Sequence, residues 1–380
     1  MITPEFLEDL EYSKLVMIYS NLNIKLTEII IAEILKTKEL NSYTKNQLKV
    51  LIQIGGKEIF EKALKETSSL NAKTKKEIKN IYEQMAKDNM QSYKTLYKYR
   101  GLDFKISKAQ YQILNQAIKM TGKDLQNFTK TIAFSSKQAY VNAVDKAYFQ
   151  VVTGGRDYIS VIEDTVRELA KQGVTLKDSA GRNVQLETAV RRNVLTGVKQ
   201  TADEVTSEIE DELGCNGYEV TSHSGARPSH AETQGKQYAK TKADARKYKV
   251  GYWGDVEHLW QEYNCRHTYF GIILGISEPV YTKKELKQME NSKVTYQGKK
   301  IPEYEATQIQ RKLEREQRNL QRQITPLKNS KNNIKNKEQK QKREQTIKNL
   351  QLRLRKKQTE YKQFCKETGL TPQYERTKVV

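Results

Sequence analysis

All four histidines of this 380-residue chain (His223, His230, His258 and His267) and one of its three cysteines, Cys265, fall between positions 223 and 267. Three of these histidines and the cysteine belong to two short motifs, His223-Ser-Gly-Ala-Arg227-Pro-Ser-His230-Ala-Glu-Thr-Gln234-Gly235 and Asn264-Cys265-Arg266-His267. Imidazole and thiolate groups bind borderline-soft metals, move protons and attack carbonyls, so the motifs admit several chemistries. His223, His230, Cys265 and His267 supply four ligand-type side chains, the number a closed structural zinc site uses, although no paired Cys-x-x-Cys accompanies them. A nuclease-like metal site would use one histidine as general base, but no carboxylate cluster stands nearby for a hard cation. Cys265 as a nucleophile would take His267 or His223 as its base, with no third orienting group evident. The remaining reading is a polar lock. Gly225, Pro228 and Gly235 shape a tight loop, and its side chains hydrogen-bond across to the second motif because buried polar groups must be satisfied. The planar five-donor forks of Arg227 and Arg266 suit such a lock, or an acidic partner. The preferred assignment is therefore a structural or partner-binding lock of His223, Arg227, His230, Gln234, Gly235, Asn264, Cys265, Arg266 and His267, with no catalytic residue; metal content is left open and a structural zinc is one option.

The motifs need strands to present them. Residues 217–222 have strand character and deliver the chain into the first motif, and residues 269–276 leave the second, so a small α+β core should carry both at its strand ends. Around it the sequence is helical. Leu15, Ile18, Leu22, Leu26, Ile29 and Ile30 form an amphipathic stripe. Gly55-Gly56 should interrupt a second segment, and Asn71 or Thr74 should cap a third through Ile78, Ile81 and Met85. Tyr93, Tyr97 and Tyr99 alternate with Lys94, Lys98 and Arg100, a pattern that suits base stacking or the packing of rings at a helix end. Turns are expected at Gly154-Gly155 and across 178–183, before a long helix through Val190, Val194, Val198, Val205 and Leu213 that ends at Gly214. The last 80 residues read as a helical hairpin, one arm from about Glu303 to Ile324, broken at Pro326, and a second ending near Gly369, each roughly 30 Å long. The fold class is mainly α with a small α+β core. Three regions follow: a helical N-terminal part (1–134), a mixed core with the His/Cys motifs (135–280) and a basic C-terminal helical hairpin (281–380).

Composition narrows the class. With 37% hydrophobic and 30% charged residues the chain reads as soluble. No apolar run of roughly 18–20 residues is expected to span a bilayer, and no secretory signal is visible. Three dispersed cysteines make no disulfide framework, which suits synthesis in a reducing cytoplasm. Net charge is +21, and residues 281–380 hold 27 Lys and Arg against 11 Asp and Glu. That asymmetry favours a polyanionic partner. The nucleic-acid candidates are Arg311, Arg315, Arg318, Arg322, Lys342, Arg343, Arg353, Arg355, Lys356 and Lys357.

Taken together, the two motifs resemble the phage minor capsid protein family related to the Mu-type head morphogenesis proteins. Further blocks follow in the family's order: Tyr140-Val-Asn-Ala-Val-Asp-Lys-Ala-Tyr148, Val190-Arg-Arg-Asn-Val-Leu-Thr-Gly-Val198, Gly275-Ile-Ser-Glu-Pro279, Tyr304-Glu-Ala-Thr-Gln-Ile-Gln-Arg311, and the ending Thr368-Gly-Leu-Thr-Pro-Gln-Tyr-Glu-Arg376. The sequence departs from the pattern at Thr233, where the family usually has an aromatic residue, and at 257–263, which replace a glycine-rich approach to the second motif. The resemblance implies a low-copy structural protein of a tailed-phage or prophage head, in the virion and, during assembly, in the host cytoplasm. Implied partners are the portal protein, major capsid or scaffold proteins, and double-stranded DNA through the basic C-terminal region, with no membrane and no enzymatic activity. The alternative is a metal-dependent nucleic-acid enzyme built on His223, His230, Cys265 and His267.

Overall fold

The computed structural model describes residues 2–37, 40–153, 156–178, 180–260 and 265–379. Helices dominate the first half: α1 (Pro4–Leu10), α2 (Lys14–Ile34), α3 (Lys45–Ser69), α4 (Asn71–Arg100) and α5 (Lys108–Val152). Hydroxyl side chains start four of them, Thr3, Ser13, Thr44 and Ser107 each accepting a backbone N–H of the first turn, and the last two form full capping boxes with Gln47 and Gln110. The stripe read from the sequence is the buried face of α2, with Leu15, Leu22, Leu26 and Ile30 in the core. By length and composition, 4–34 also contains a stretch apolar enough to cross a membrane, contrary to the expectation of no such run; slightly more than half of it is buried inside the protein, as in a core helix.

Three local expectations are corrected. Gly55-Gly56 does not interrupt α3, because the glycine serves a close approach: a Cβ on Gly55 would lie 2.4 Å from the Tyr140 hydroxyl of α5. Neither Asn71 nor Thr74 caps α4; Leu70 holds the cap position without a side-chain bond, and Thr74 is buried. Tyr93 and Tyr97 are fully buried, their hydroxyls taken by the Gly271 N–H and by Glu212, so neither ring is available to stack on a base. The Gly154-Gly155 turn lies outside the described residues, as does Ser179 in the second turn.

The middle of the chain builds the small sheet. After α6 (Tyr158–Gln172), a hairpin of β1 (Thr175–Lys177) and β2 (Asn183–Gln185) leads into α7 (Leu186–Leu213), which ends at Gly214. Then come β3 (Gly217–Val220), α8 (Pro228–Ala231), β4 (Gln237–Ala239), α9 (Lys242–Tyr248), β5 (Gly251–Tyr252), α10 (Glu257–Trp260) and β6 (Tyr269–Ile272). The strand order is β5-β4-β3-β6, with β3 antiparallel to both neighbours and β4 parallel to β5. Side chains alternate along β6, so Phe270 and Ile272 join the helical core while Tyr269 packs on the other side with Val220, Tyr238, Trp253 and Trp260.

The C-terminal hundred residues open with α11 (Lys283–Glu290) and a hairpin of β7 (Lys293–Tyr296) and β8 (Lys299–Pro302), elements the sequence reading did not anticipate. The long arms are α12 (Glu303–Asn329) and α13 (Lys337–Thr368). At 27 and 32 residues they run about 40 and 48 Å, longer than expected. Pro326 lies inside α12 rather than ending it. It removes one backbone donor near the helix end, while Leu327 is anchored in the main core and Ser330 donates to the Pro326 carbonyl. Leu320, Ile324, Ile347 and Leu350 join that core too, so the base of the hairpin is built into the body. Likewise α5 runs unbroken across the expected division at 134/135.

Candidate functional site

Both motifs lie at strand ends, one leaving β3 and one entering β6, and the antiparallel pairing of those strands brings them side by side. Pro228 starts the short helix α8, which carries His230 inward. Gly235, at φ 66°, turns the chain where an added Cβ would sit 2.2 Å from Leu286. Lys199 of α7 donates to the carbonyls of Trp260 and Cys265 at 3.2 Å each, joining the end of α10 to the second motif. Asn264 lies outside the described residues.

His230, Gln234, Cys265 and His267 are buried, and His223 is half-buried with its ring stacked on His267 at 4.5 Å. Gln234 organises the group. Its Oε1 accepts from the His223 backbone N–H (3.1 Å) and contacts His267 Nε2 (2.8 Å). A backbone N–H can only donate, so the Gln234 atom facing it is the oxygen, and His267 Nε2 must then carry a proton. That leaves the His267 Nδ1 lone pair directed at Cys265 Sγ, 3.5 Å away; His230 Nδ1 lies 3.6 Å from the same sulfur. Burial first, then the neighbouring His223 and His230, holds His267 down to about 2, so it stays neutral at working pH. His230, Cys265 and His267 thus bring one ligand atom each within 4.8 Å of one another. His223 stands outside that group, its Nδ1 engaged by the Ser224 carbonyl at 2.9 Å. No carboxylate belongs to the group among the described residues, which leaves a hard-cation nuclease without its ligands.

Above this floor opens a cavity of about 260 Å³. Six arginines line it: Arg191 of α7, Arg227 and Arg266 of the motifs, and Arg311, Arg315 and Arg318 of α12. Glu11 and Tyr12, just beyond α1, close one side, and Tyr304 and Gln308 belong to the α12 wall. Arg266 pairs with Glu8 (2.6 Å) and Glu11 (3.3 Å), and Arg376 pairs with the same Glu8 carboxylate. Burial alone would raise the Glu8 carboxyl, yet Arg266 and Arg376 together hold it below its ordinary value. Sequence reasoning missed Glu8, Glu11, Tyr12, Lys199 and Trp260, since nothing in their local spacing marks them as neighbours of the motifs.

The ten basic candidates divide. Arg311, Arg315 and Arg318 face the cavity. Arg322 and Arg343 are buried ion-pair partners of Glu187 and Glu163, so neither guanidinium is offered to solvent. Lys342 and Lys357 pair with Glu338 and Glu316. Arg353, Arg355 and Lys356 remain exposed on α13, with no carboxylate in ion-pair reach among the described residues.

The family model described as "Phage minor capsid protein 2" matches residues 2–366. The chain belongs to the phage minor capsid protein 2 family. No curated protein and no solved structure matches. Membership gives this minor capsid protein a structural role in a phage particle, and such a role implies a protein that is not an enzyme. The separated blocks of the family resemblance converge on the cavity: Arg191 comes from one, Tyr304, Gln308 and Arg311 from another, and Arg376, beside it, from the last.

Proposed function

We propose that this minor capsid protein is a low-copy component of a tailed-phage head, associated with the portal during assembly, with the exposed cations of α13 turned toward packaged DNA. The family match over residues 2–366 carries the structural role. Arg353, Arg355 and Lys356, exposed and without an ion-pair partner among the described residues, support the DNA-facing surface. Quantitative mass spectrometry of gradient-purified heads tests the first part, with a few to a dozen or so copies per particle, retained with the portal after capsid disruption, as the expected result. Absence from particles would overturn it. For the second, replacing Arg353, Arg355 and Lys356 by Gln should lower the slope of log K against log salt by about 0.9 for each phosphate no longer neutralised. An unchanged slope would remove DNA from that surface.

One specific observation favours a zinc ion within the lock. A zinc tetrahedron with ordinary Zn–S and Zn–N bonds has an S–N edge of about 3.5–3.6 Å. The two observed Sγ–Nδ1 separations are 3.5 and 3.6 Å, and Gln234 holds His267 by the other ring nitrogen, as partners of metal-bound histidines do. His230, Cys265 and His267 would supply three of the donors such an ion needs. Equimolar zinc by elemental analysis, lost in Cys265→Ser, is the expected result; metal-free protein with an intact thermal transition would reduce the lock to hydrogen bonds.

A further inference from the structure

Six arginines line the cavity over the lock, and the carboxylates beside them among the described residues are Glu8, Glu11 and the buried Glu314. Glu8 serves Arg266 and Arg376, and Glu11 serves Arg266 while standing 4.0 Å from Arg191. On α12 the remaining cavity arginines follow one another at i, i+4 and i+7, which places them on one helix face. Arg318 is held by the Arg376 carbonyl and the face of the Tyr12 ring. Arg311 and Arg315 have no carboxylate within ion-pair distance among the described residues. Burial, and after it the charge of Arg266, pushes the Arg311 guanidinium below its ordinary value. Glu11 and Glu8 act against that shift, and an anion among these guanidiniums would act in the same sense.

We propose that this cavity binds a small oligophosphate anion, such as diphosphate or the phosphate chain of a nucleotide, between Arg311 and Arg315 of α12 and the motif arginines. The guanidinium fork matches phosphate oxygens two at a time, which favours arginine over lysine here. A volume of about 260 Å³ lies below the usual range for drug-sized ligands, so it suits a compact anion. A carboxylate side chain of a partner protein brings one charge where several cations converge. A duplex backbone presents its phosphates on a convex rod, which suits a concave site walled by residues 11–12, α7, the motifs and α12 less well than a compact anion does. A bound anion would tie the segment after α1, the motif core and the C-terminal hairpin together, since each contributes a wall.

The test is calorimetric titration of the full chain with sodium diphosphate at constant ionic strength, beside thermal melts. The expected result is saturable binding at one site per chain and a higher melting temperature. In Arg311→Gln/Arg315→Gln the affinity should fall on the order of a hundredfold, because two charge-assisted hydrogen-bonding forks are removed. Without anion that variant should melt no lower than the parent, whereas arginines with a purely architectural role would make it melt lower, which would overturn the proposal. No saturable heat, an unchanged affinity in the double variant, or the same response to sodium chloride would also overturn it. A third arm uses oligonucleotides as competitors. Displacement of diphosphate by a 5′-phosphorylated strand, but not by its 5′-hydroxyl counterpart, would support a phosphate-specific pocket and identify a DNA end as one source. Equal displacement by both strands would mean general backbone attraction and refute the pocket.

Discussion

Gln234→Leu tests the logic of the lock most directly. Leucine nearly preserves the side-chain volume, so the change leaves no large void, but it removes the one oxygen that serves both the His223 backbone N–H and His267 Nε2–H. Both donors would then be left without their acceptor in an environment where Gln234 and His267 are 2% exposed. A buried donor stripped of its partner costs roughly 1–3 kcal/mol, so the pair should cost about 2–6 kcal/mol. The assay has a built-in local probe. The chain's only two tryptophans, Trp253 and Trp260, both pack in the small cluster beside the lock, with Trp260 against His230 and His267. Urea titration followed by tryptophan fluorescence therefore reports this core, while far-ultraviolet circular dichroism reports the helices. The fluorescence midpoint should move down strongly in Gln234→Leu and only weakly in Gln234→Glu, which keeps an acceptor oxygen. A fluorescence transition of Gln234→Leu within about 0.5 kcal/mol of the parent, the scatter expected of inconsequential surface changes, would refute the acceptor role.

Other perturbations have equally definite outcomes. Arg343→Leu should cost about 3–5 kcal/mol, because it leaves Glu163 beside a guanidinium site that is 0% exposed, and Glu163→Leu added to it should recover much of the loss; urea titration of the single and double variants checks the coupling. The adjacent glycines of α3 should respond with opposite signs in thermal melts. Gly55→Ala forces a Cβ to 2.4 Å from the buried Tyr140 hydroxyl and should destabilise by about 1–3 kcal/mol, whereas Gly56→Ala meets only the flexible Lys137 chain at 3.4 Å and should gain roughly 0.5–1 kcal/mol. On acidification, Glu8 has its folded value depressed, so its contribution is present above its unfolded value near 4.5 and is lost as pH falls through the folded value. Burial raises Glu210, Glu219 and Glu314 instead, so their contributions are full at low pH and decline as pH rises. Melting temperature should thus fall less steeply below pH 4.5 in Glu8→Gln than in the parent; identical slopes would mean that the Arg266–Glu8–Arg376 arrangement does not form.

What was legible in the sequence followed from short-range physics. The stripe of α2, the long α7 with its terminal Gly214, and the strands on either side of the motifs all rest on periodicity or on residues with special backbone freedom. The failures share a different cause. Gly55 reads as a breaker until Tyr140, 85 positions away, is seen to occupy its missing side chain's space. Pro326 reads as a stop until Leu327 is seen anchored in a core drawn from the first half of the chain. Arg322 and Arg343 look like surface cations because their partners, Glu187 and Glu163, lie 135 and 180 residues away. Tyr93 and Tyr97 look like stacking platforms only while α7 and β6 are out of view. Each error came from a tertiary contact overriding a local preference. Among the site residues, the motif histidines, cysteine, glutamine and arginines were recognisable by type and spacing, while the acidic and aromatic residues near α1 carried no local signal.

The position of Arg266 explains why the lock and the cavity belong to one device. It is flanked by Cys265 and His267, so when those two turn inward to His230 and Gln234, the residue between them is directed to the opposite side and meets Glu8 and Glu11. Glu8 is in turn bound by Arg376 from the far end of the chain, and Tyr12 takes the guanidiniums of Arg318 and Arg376 on its ring at 5.3 and 5.1 Å. The two ends of the chain therefore meet at the motif, and the lock sets the register of that meeting. In a protein with a structural role, such closure has a use that catalysis does not require. A chain whose termini, core and basic hairpin converge on one polar centre can respond as a unit to whatever neutralises that centre. Loosening the lock should accordingly release α1 and the hairpin base together, and hydrogen exchange on Gln234→Leu would show it as matched loss of protection in 4–12 and 311–322. Deprotection confined to the motif loops would mean that the two ends are held independently of it.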